Sequence, residues 1–157
     1  MTMMKHLMTA ATAVALSAGA ALADPALIFD LGGKFDKSFN ESAHNGAQRW
    51  AEETGGSYNE VELQSEAQRE QALRRFAENG NNPIVMVGFA FGEALGEVAA
   101  DYPETKFAII DMVVDQPNVR SVVFNEHEGS YLVGLMAGMA SDSGTVGFIG
   151  GMDIPLI

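Results

Sequence analysis

The stretch LIFDLGGKFDKSFN, residues 27–40, decides how this 157-residue chain folds. Its first three residues form an apolar run that predicts a buried strand, and Asp30 ends that run. The loop that follows contains two glycines and two lysines, and a helical pattern begins at Phe39. A glycine-rich loop after the first strand is where open α/β sheets bind small ligands. The stretch therefore predicts a strand–loop–helix unit with a binding site at its loop.

Strand-like and helix-like segments alternate along the rest of the chain. Apolar runs predict six strands, at 26–30, 61–64, 84–88, 106–111, 119–124 and 145–150. Helical spacing of apolar residues predicts helices between them, around 39–51, 73–77, 95–99 and 126–142. Ser38 and Glu41 have the spacing of a capping box at the start of the first helix. Because several strands are apolar throughout, the pattern predicts an α/β fold with a doubly wound parallel sheet.

Residues suited to ligand binding follow the predicted strands. Asp30 follows the first strand, Gly88 and Phe89 follow the third, and Asp111 follows the fourth, while the segment 150–153 follows the last. The carboxyl ends of parallel strands meet at one edge of a sheet, so we expect these residues to share a cleft. A carboxylate that ends a wholly apolar strand must be hydrogen-bonded or solvated, which favours a binding role for Asp111.

Phe39 and Asn40 have two interpretations that the sequence leaves open. Either Phe39 anchors the first helix in the core, or its ring provides a stacking platform for a ligand. Asn40 would then offer both a hydrogen-bond donor and an acceptor beside that ring. Phe89 has the same ambiguity, because an aromatic residue directly after a strand can simply cover the sheet.

Charge and composition exclude several functions. The formal net charge is −12 and the sequence shows no basic patch, whereas nucleic acid binding needs clustered cations. The P-loop, dinucleotide-binding and GxSxG patterns are all absent. His44, predicted to lie at the surface, and His127, predicted to be solvated, both lack a second histidine at metal-ligand spacing. We therefore expect a binding protein rather than an enzyme, with no metal and no cofactor.

The first 23 residues have the features of a secretory signal peptide. Lys5 precedes an apolar segment at 7–20, and Ala21-Leu22-Ala23 fits the small-x-small cleavage pattern. The apolar segment is short for a membrane span. The chain contains no cysteine, so we do not expect a lipid anchor at the cleavage point. The mature product, beginning at Asp24, is expected to be exported.

The stretch 30–40 resembles the signature of the basic membrane protein family, the substrate-binding proteins of ABC importers, and within it the purine nucleoside receptors. Further segments match that family in order and spacing, namely 88–91, 109–111, 122–128 and 147–152. Many family members are lipoproteins, whereas this chain has no cysteine. This departure from the family pattern leads us to expect a freely diffusing periplasmic receptor.

The resemblance also implies a bilobed fold of the periplasmic-binding-protein type I, with ligand held between two lobes. Residues 24–124 would form the N-terminal lobe. Residues 125–157 would form the crossover and an incomplete start of the second lobe, since family members are about twice as long. The helix at 126–142 would then lack most of its packing partners.

The resemblance implies a purine nucleoside as ligand and an ABC permease as partner. Phe39 would stack on the base, Asn40 and Asp111 would hydrogen-bond to its edge, and Asp30, Gly88 and Phe89 would line the same wall. An ionised Asp111 only accepts hydrogen bonds, so guanosine and inosine would bind more tightly than adenosine. Two alternatives stay open, a receptor of the same fold for a sugar or other small solute and a secreted α/β enzyme.

Overall fold

The computed structural model describes residues 23–151 and residue 153. The strands are β1 (Ala26–Phe29), β2 (Asn59–Glu62), β3 (Ile84–Val87), β4 (Phe107–Ile110) and β5 (Val119–Val122). The helices are α1 (Phe39–Thr54), α2 (Gln68–Glu78), α3 (Gly92–Asp101) and α4 (Glu126–Ala140). A short 3₁₀ turn, Phe89–Phe91, joins β3 to α3. The predicted signal peptide lies outside the described residues, apart from Ala23.

The five strands form one parallel sheet in the order β2-β1-β3-β4-β5. In register, Ile28 of β1 lies opposite Val61 of β2 on one side and Met86 of β3 on the other. The strand order reverses between β1 and β3. Ligands of open α/β sheets bind outside the carboxyl ends of the strands at such a reversal. The topology therefore places the ends of β1 and β3 at the centre of the expected cleft.

The sheet is covered on both faces, which confirms the predicted doubly wound fold. On one face, Ile28, Met86 and Ile109 pack against α2 and α3 in the main core, with Leu73 and Leu95 fully buried. On the other face, a smaller cluster from β1 and β3 packs against α1. Successive side chains of a strand point to opposite faces, so strands that are apolar throughout supply both clusters.

The start of α1 differs from the predicted capping box. Ser38 occupies the N-cap position, but its side chain makes no capping hydrogen bond. The carboxylate of Asp36 accepts instead, from the backbone N–H groups of Ser38 at 2.8 Å, Asn40 at 3.0 Å and Glu41 at 3.1 Å. A carboxylate also suits the positive end of the helix dipole. Asp36 caps the helix in place of Ser38 because the two oxygens of its carboxylate accept from three backbone N–H groups, whereas a single hydroxyl oxygen cannot accept from all three.

Two further predictions are wrong. Residues 145–150 form no strand, because no neighbouring strand within the described chain offers backbone partners, and Phe148 and Ile149 are almost fully exposed. His44 is buried, not at the surface, since its ring lies at an edge-on angle to the rings of Phe29 and Phe35. By contrast, His127 is exposed, as predicted.

Helix α4 has no buried residue in the structure. Its apolar side chains are half or more exposed, including Tyr131, Leu132, Met136 and Met139. Within residues 23–151 and 153, no helix has the length and hydropathy needed to cross a membrane. The apolar surface of α4 is therefore unpaired against the rest of the described chain.

Candidate ligand-binding site

The carboxyl edge of the sheet carries an open depression of about 210 Å³. All six residues singled out in the sequence line it, and three others join them: Asp30, Phe39, Asn40, Gly88, Phe89 and Asp111, with Leu31, Asp36 and Val87. Small-molecule pockets usually enclose about 300–1,000 Å³. This depression is smaller than that range and open to solvent.

Asp30 lies between an arginine and a glycine. The guanidinium of Arg69 on α2 donates from Nε and Nη2 to Asp30 Oδ1, at 3.1 and 3.0 Å, and from Nη2 to Oδ2 at 3.3 Å. A Cβ atom on Gly88 would lie 3.5 Å from Asp30 Oδ2, and Gly88 has a φ of +121°. Glycine is therefore needed at position 88 for its backbone conformation, and it lets the chain pass close to the carboxylate.

Asn40 is buried, and its amide orientation follows from its neighbours. Its Nδ2 donates to the backbone oxygens of Asp30 at 3.2 Å and Gly33 at 3.1 Å. Its Oδ1 is buried without a hydrogen-bond partner. Because both neighbours are carbonyl oxygens, the nitrogen must face them, and the free group is the acceptor. The expectation that Asn40 offers a donor as well is thus corrected, since both N–H groups close the loop.

The loop between β1 and α1 is tied to the edge strand β2. The backbone N–H of Lys34 donates to Glu62 Oε2 at 2.8 Å, and Lys34 Nζ pairs with Glu60. Glu60 Oε2 also lies 3.6 Å from Nδ1 of His44, an atom with no hydrogen-bond partner. These contacts hold the loop that forms one side of the depression.

Asp36 stabilises the same loop through its charge. Partial burial pushes the pKa of Asp36 upward, but the backbone N–H groups of Asn40, Glu41 and Ser38 outweigh it and hold the pKa below its ordinary value. Asp36 is therefore ionised at neutral pH.

Asp111 lies at the end of β4 in a strained conformation. Its φ is +72°, which is uncommon for a residue other than glycine, and its N–H donates to the backbone oxygen of Val122 at 2.7 Å. Burial, followed by a hydrogen bond and charge repulsion with Glu126, raises the pKa of Asp111. Backbone strain of this kind concentrates at functional sites.

The two aromatic residues take different positions. Phe39 is about 40% exposed at the first position of α1, and its ring edge lies close to the place that a Cβ on Gly88 would occupy. Phe89 is half-buried at the start of the 3₁₀ turn. Phe39 is not a core anchor, because its exposure far exceeds that of the buried Phe29 and Phe91.

Sequence reasoning missed three residues of this arrangement. Asp36 could have been found, because aspartate is a common turn residue whose side chain accepts a hydrogen bond from the backbone two residues on, here from Ser38. Arg69 and Glu126 had no local signal, since they reach Asp30 and Asp111 from distant parts of the chain. The described residues of the segment 150–153 do not line the depression.

A second concavity, of about 350 Å³, lies beside α1 toward the amino ends of the strands. Its lining is apolar, with Leu27, Ala47, Trp50 and Val85 among its members. Within the described residues, no group of three or more histidine, aspartate or glutamate side chains is placed to hold a metal ion. Compared with this apolar concavity, the depression at the carboxyl edge has more polar groups suited to recognition.

Comparison with known proteins identifies the family. Residues 25–157 match the model of the Bmp family, described as PnrA-like ABC transporter substrate-binding proteins. An uncharacterized lipoprotein from Pyrococcus furiosus is 39% identical over 139 residues, covering 83% of this chain and 34% of that protein. The ABC transporter nucleoside-binding protein BmpA from Lactococcus lactis is 33% identical over 137 residues, covering 84% of this chain and 39% of that protein.

A solved structure has the same fold. The solute-binding protein of an ABC transporter system from Aeropyrum pernix K1 is 40% identical, with a TM-score of 0.68 over 74% of this chain and 32% of that chain. This likeness confirms the predicted solute-binding fold. The chain spans between 34% and 39% of the length of the curated relatives compared with it.

Proposed function

The chain belongs to the Bmp family of PnrA-like ABC transporter substrate-binding proteins, and on this premise we propose that its carboxyl-edge depression binds a purine nucleoside. Membership of a substrate-binding family confirms the prediction that the protein is not an enzyme. One relative, from Lactococcus lactis, is named as a nucleoside-binding protein. The observation that carries the proposal is the meeting of an exposed aromatic ring with the carboxyl groups of Asp30 and Asp111 in one depression.

The hydrogen-bonding groups of the depression favour a ligand rich in donors. Asp30 Oδ2 accepts only one long hydrogen bond, and Asp111 contributes a second carboxyl group. Asn40 Oδ1 also has no hydrogen-bond partner, although it is buried. A nucleoside supplies hydroxyl donors from ribose, and guanine or hypoxanthine adds an N1–H donor. The ring of Phe39 would stack on the base, an interaction worth about 1–3 kcal/mol per base. Gly88 and Phe89 would line the same wall.

The small size of the depression supports a site shared between two lobes. We assign residues 24–124 to the first lobe and residues 125–157 to the crossover and the start of a second. The exposed apolar surface of α4 supports this division. The second lobe would supply the opposite wall, and its closure on the ligand would be the signal read by an ABC permease.

The proposed location is outside the cytoplasmic membrane, in the periplasm. The leader-like residues 1–23 support export. Relatives from Pyrococcus are named lipoproteins, which speaks against the expectation that the protein has no lipid anchor. Cell fractionation of the full-length protein tests the location: recovery in the cytoplasmic fraction would contradict it.

Calorimetric titration of the full-length protein, meaning the entire product of its gene, tests the ligand assignment. Guanosine, inosine, adenosine and ribose would be compared at pH 7. We expect guanosine and inosine to bind more tightly than adenosine, because an ionised carboxylate facing adenine N1 leaves two acceptors opposed. Ribose binding as tight as inosine would favour a sugar receptor. Binding of no probe would reject the nucleoside proposal.

A further inference from the structure

Arg69 is bound to the candidate site through a single partner. Its Nε and Nη2 both donate to Asp30 Oδ1, at 3.1 and 3.0 Å, and Nη2 also reaches Oδ2 at 3.3 Å. Arg69 does not line the depression, whereas Asp30 does. The side chains are 15% and 19% exposed, so the pair is largely shielded from water. Among the described residues that line the depression, Asp30 is therefore the one to which Arg69 is hydrogen-bonded.

The guanidinium is itself held in place. It lies over the ring of Phe91, 5.9 Å from the ring centroid, and Phe91 is fully buried. Behind it, Gln68 Oε1 accepts from the N–H groups of Gln64 at 2.7 Å and Ser65 at 3.2 Å, which ties down the start of α2. A planar fork resting on an aromatic face orients a carboxylate in a way that a lysine ammonium does not.

The two carboxylate oxygens of Asp30 differ in their hydrogen bonds. Oδ1 accepts two hydrogen bonds from Arg69 and is saturated on that side, while Oδ2 receives one long contact. Oδ2 is also the oxygen nearest the position that a Cβ on Gly88 would take, at 3.5 Å. Gly88 lines the depression. The free lone pairs of the carboxylate thus lie on the side of the ligand.

We propose that Arg69 is a positioning residue that fixes the Asp30 carboxylate so that Oδ2 accepts a hydrogen bond from a donor group of the ligand. The inference rests on the proposed function, because it names a determinant of affinity in the same depression. Without the guanidinium, the Asp30 side chain can rotate toward solvent. Binding would then have to restrict this rotation, and the entropy lost would weaken the affinity for the ligand.

A double-mutant cycle in the full-length protein tests the proposal, with inosine as the probe. We expect Arg69→Gln to weaken inosine binding about tenfold, and Arg69→Lys to recover part of that loss. In the Asp30→Asn background, the same Arg69→Gln change should alter binding by less than about twofold. The matched control is Arg74→Gln on the same helix, because Arg74 pairs with Glu70 and Asp101 away from the site. It should leave inosine affinity within about twofold.

Equal losses from Arg69→Gln with and without Asp30 would overturn the positioning role, as would unchanged affinity in folded Arg69→Gln. A nuclear magnetic resonance measurement tests the contact between Arg69 and Asp30 directly, in the absence of ligand. The slowly exchanging Nε–H signal of Arg69 should be visible in the wild type and lost in Asp30→Asn. If the wild type binds no nucleoside, the proposed function fails, and persistence of that signal in Asp30→Asn then overturns the inference as well.

Discussion

The sheet with its three flanking helices and the segment that begins with α4 differ sharply in burial. Phe107 in β4 and Leu95 in α3 are inaccessible to solvent, whereas Leu132 and Met139 in α4 are 59% and 80% exposed. Both regions have apolar residues at helical or strand spacing. An apolar pattern therefore predicts a helix or a strand, but it does not say what that helix or strand packs against. The described chain supplies packing partners for the sheet and its three flanking helices, but not for α4.

The two regions influence each other at Asp111. Asp111 directly follows β4 and Glu126 begins α4, and burial together with the nearby Glu126 raises the pKa of Asp111. All other residues that line the depression belong to the packed region. Substitutions in either region, and at Asp111, therefore test whether the packed region and the segment that begins with α4 differ in burial and in their part in the site.

The largest expected effect is on folding of the packed region. Phe107→Ala should lower the free energy of unfolding of residues 24–157 by about 3–5 kcal/mol, because it leaves a cavity beneath α3. Leu132→Ala on α4 is the matched control and should cost less than about 0.5 kcal/mol, since Leu132 is 59% exposed. Urea denaturation followed by circular dichroism measures both. Equal losses would show that α4 has buried partners after all.

The next effect concerns Phe39, which lies in the packed region but faces outward. Phe39→Ala in the full-length protein should weaken inosine binding about tenfold or more, because it removes a stacking surface worth about 1–3 kcal/mol. The melting temperature should change little, since the ring is 40% exposed. A collapsed melting temperature with unchanged affinity would mean that the ring serves the fold instead.

The junction between the regions is tested by ligand choice. Asp111→Asn should narrow the preference for inosine over adenosine to a few-fold at most, because an amide can donate to adenine N1 as well as accept. In the wild type, the preference should also shrink as the pH falls through the raised pKa of Asp111, since the protonated carboxyl group gains a donor. Competition titrations between pH 5 and 8 measure this. A preference independent of both pH and the substitution would remove Asp111 from base recognition.

The smallest effect is local to the loop before α1. The pKa of Asp36 is lowered in the fold, so the ionised form is stabilising above about pH 3.8 and the contribution is lost as the pH falls through the lower folded value. Amide hydrogen exchange at Ser38, Asn40 and Glu41 should therefore speed up below pH 3.8 relative to α3. Asp36→Ala should produce the same loss of protection at pH 7, whereas Ser38→Ala should not. Unchanged protection in Asp36→Ala would contradict the cap.

Much of the fold could be predicted from the sequence, because strand and helix periods are local. The runs around 26–30, 84–88 and 106–111 became strands within one residue of their predicted bounds. The second strand lies two residues earlier than predicted, at Asn59–Glu62, because it is an edge strand that is mostly exposed and has a weak apolar signal. The run 145–150 failed because a strand also needs a neighbour.

The sequence by itself determined which edge of the sheet carries the candidate site, because Asp30, Gly88 and Asp111 each directly follow a strand and parallel strands end at one edge. Which donor and acceptor atoms of that site are already hydrogen-bonded depends on tertiary contacts. The unpaired atom of Asn40 is its oxygen, because two carbonyl oxygens, 10 and 7 residues away, accept from its nitrogen. Asp30 accepts hydrogen bonds from Arg69, 39 residues away. Such partners leave no local pattern in the sequence, since the packing of α1 and α2 against the sheet brings them together.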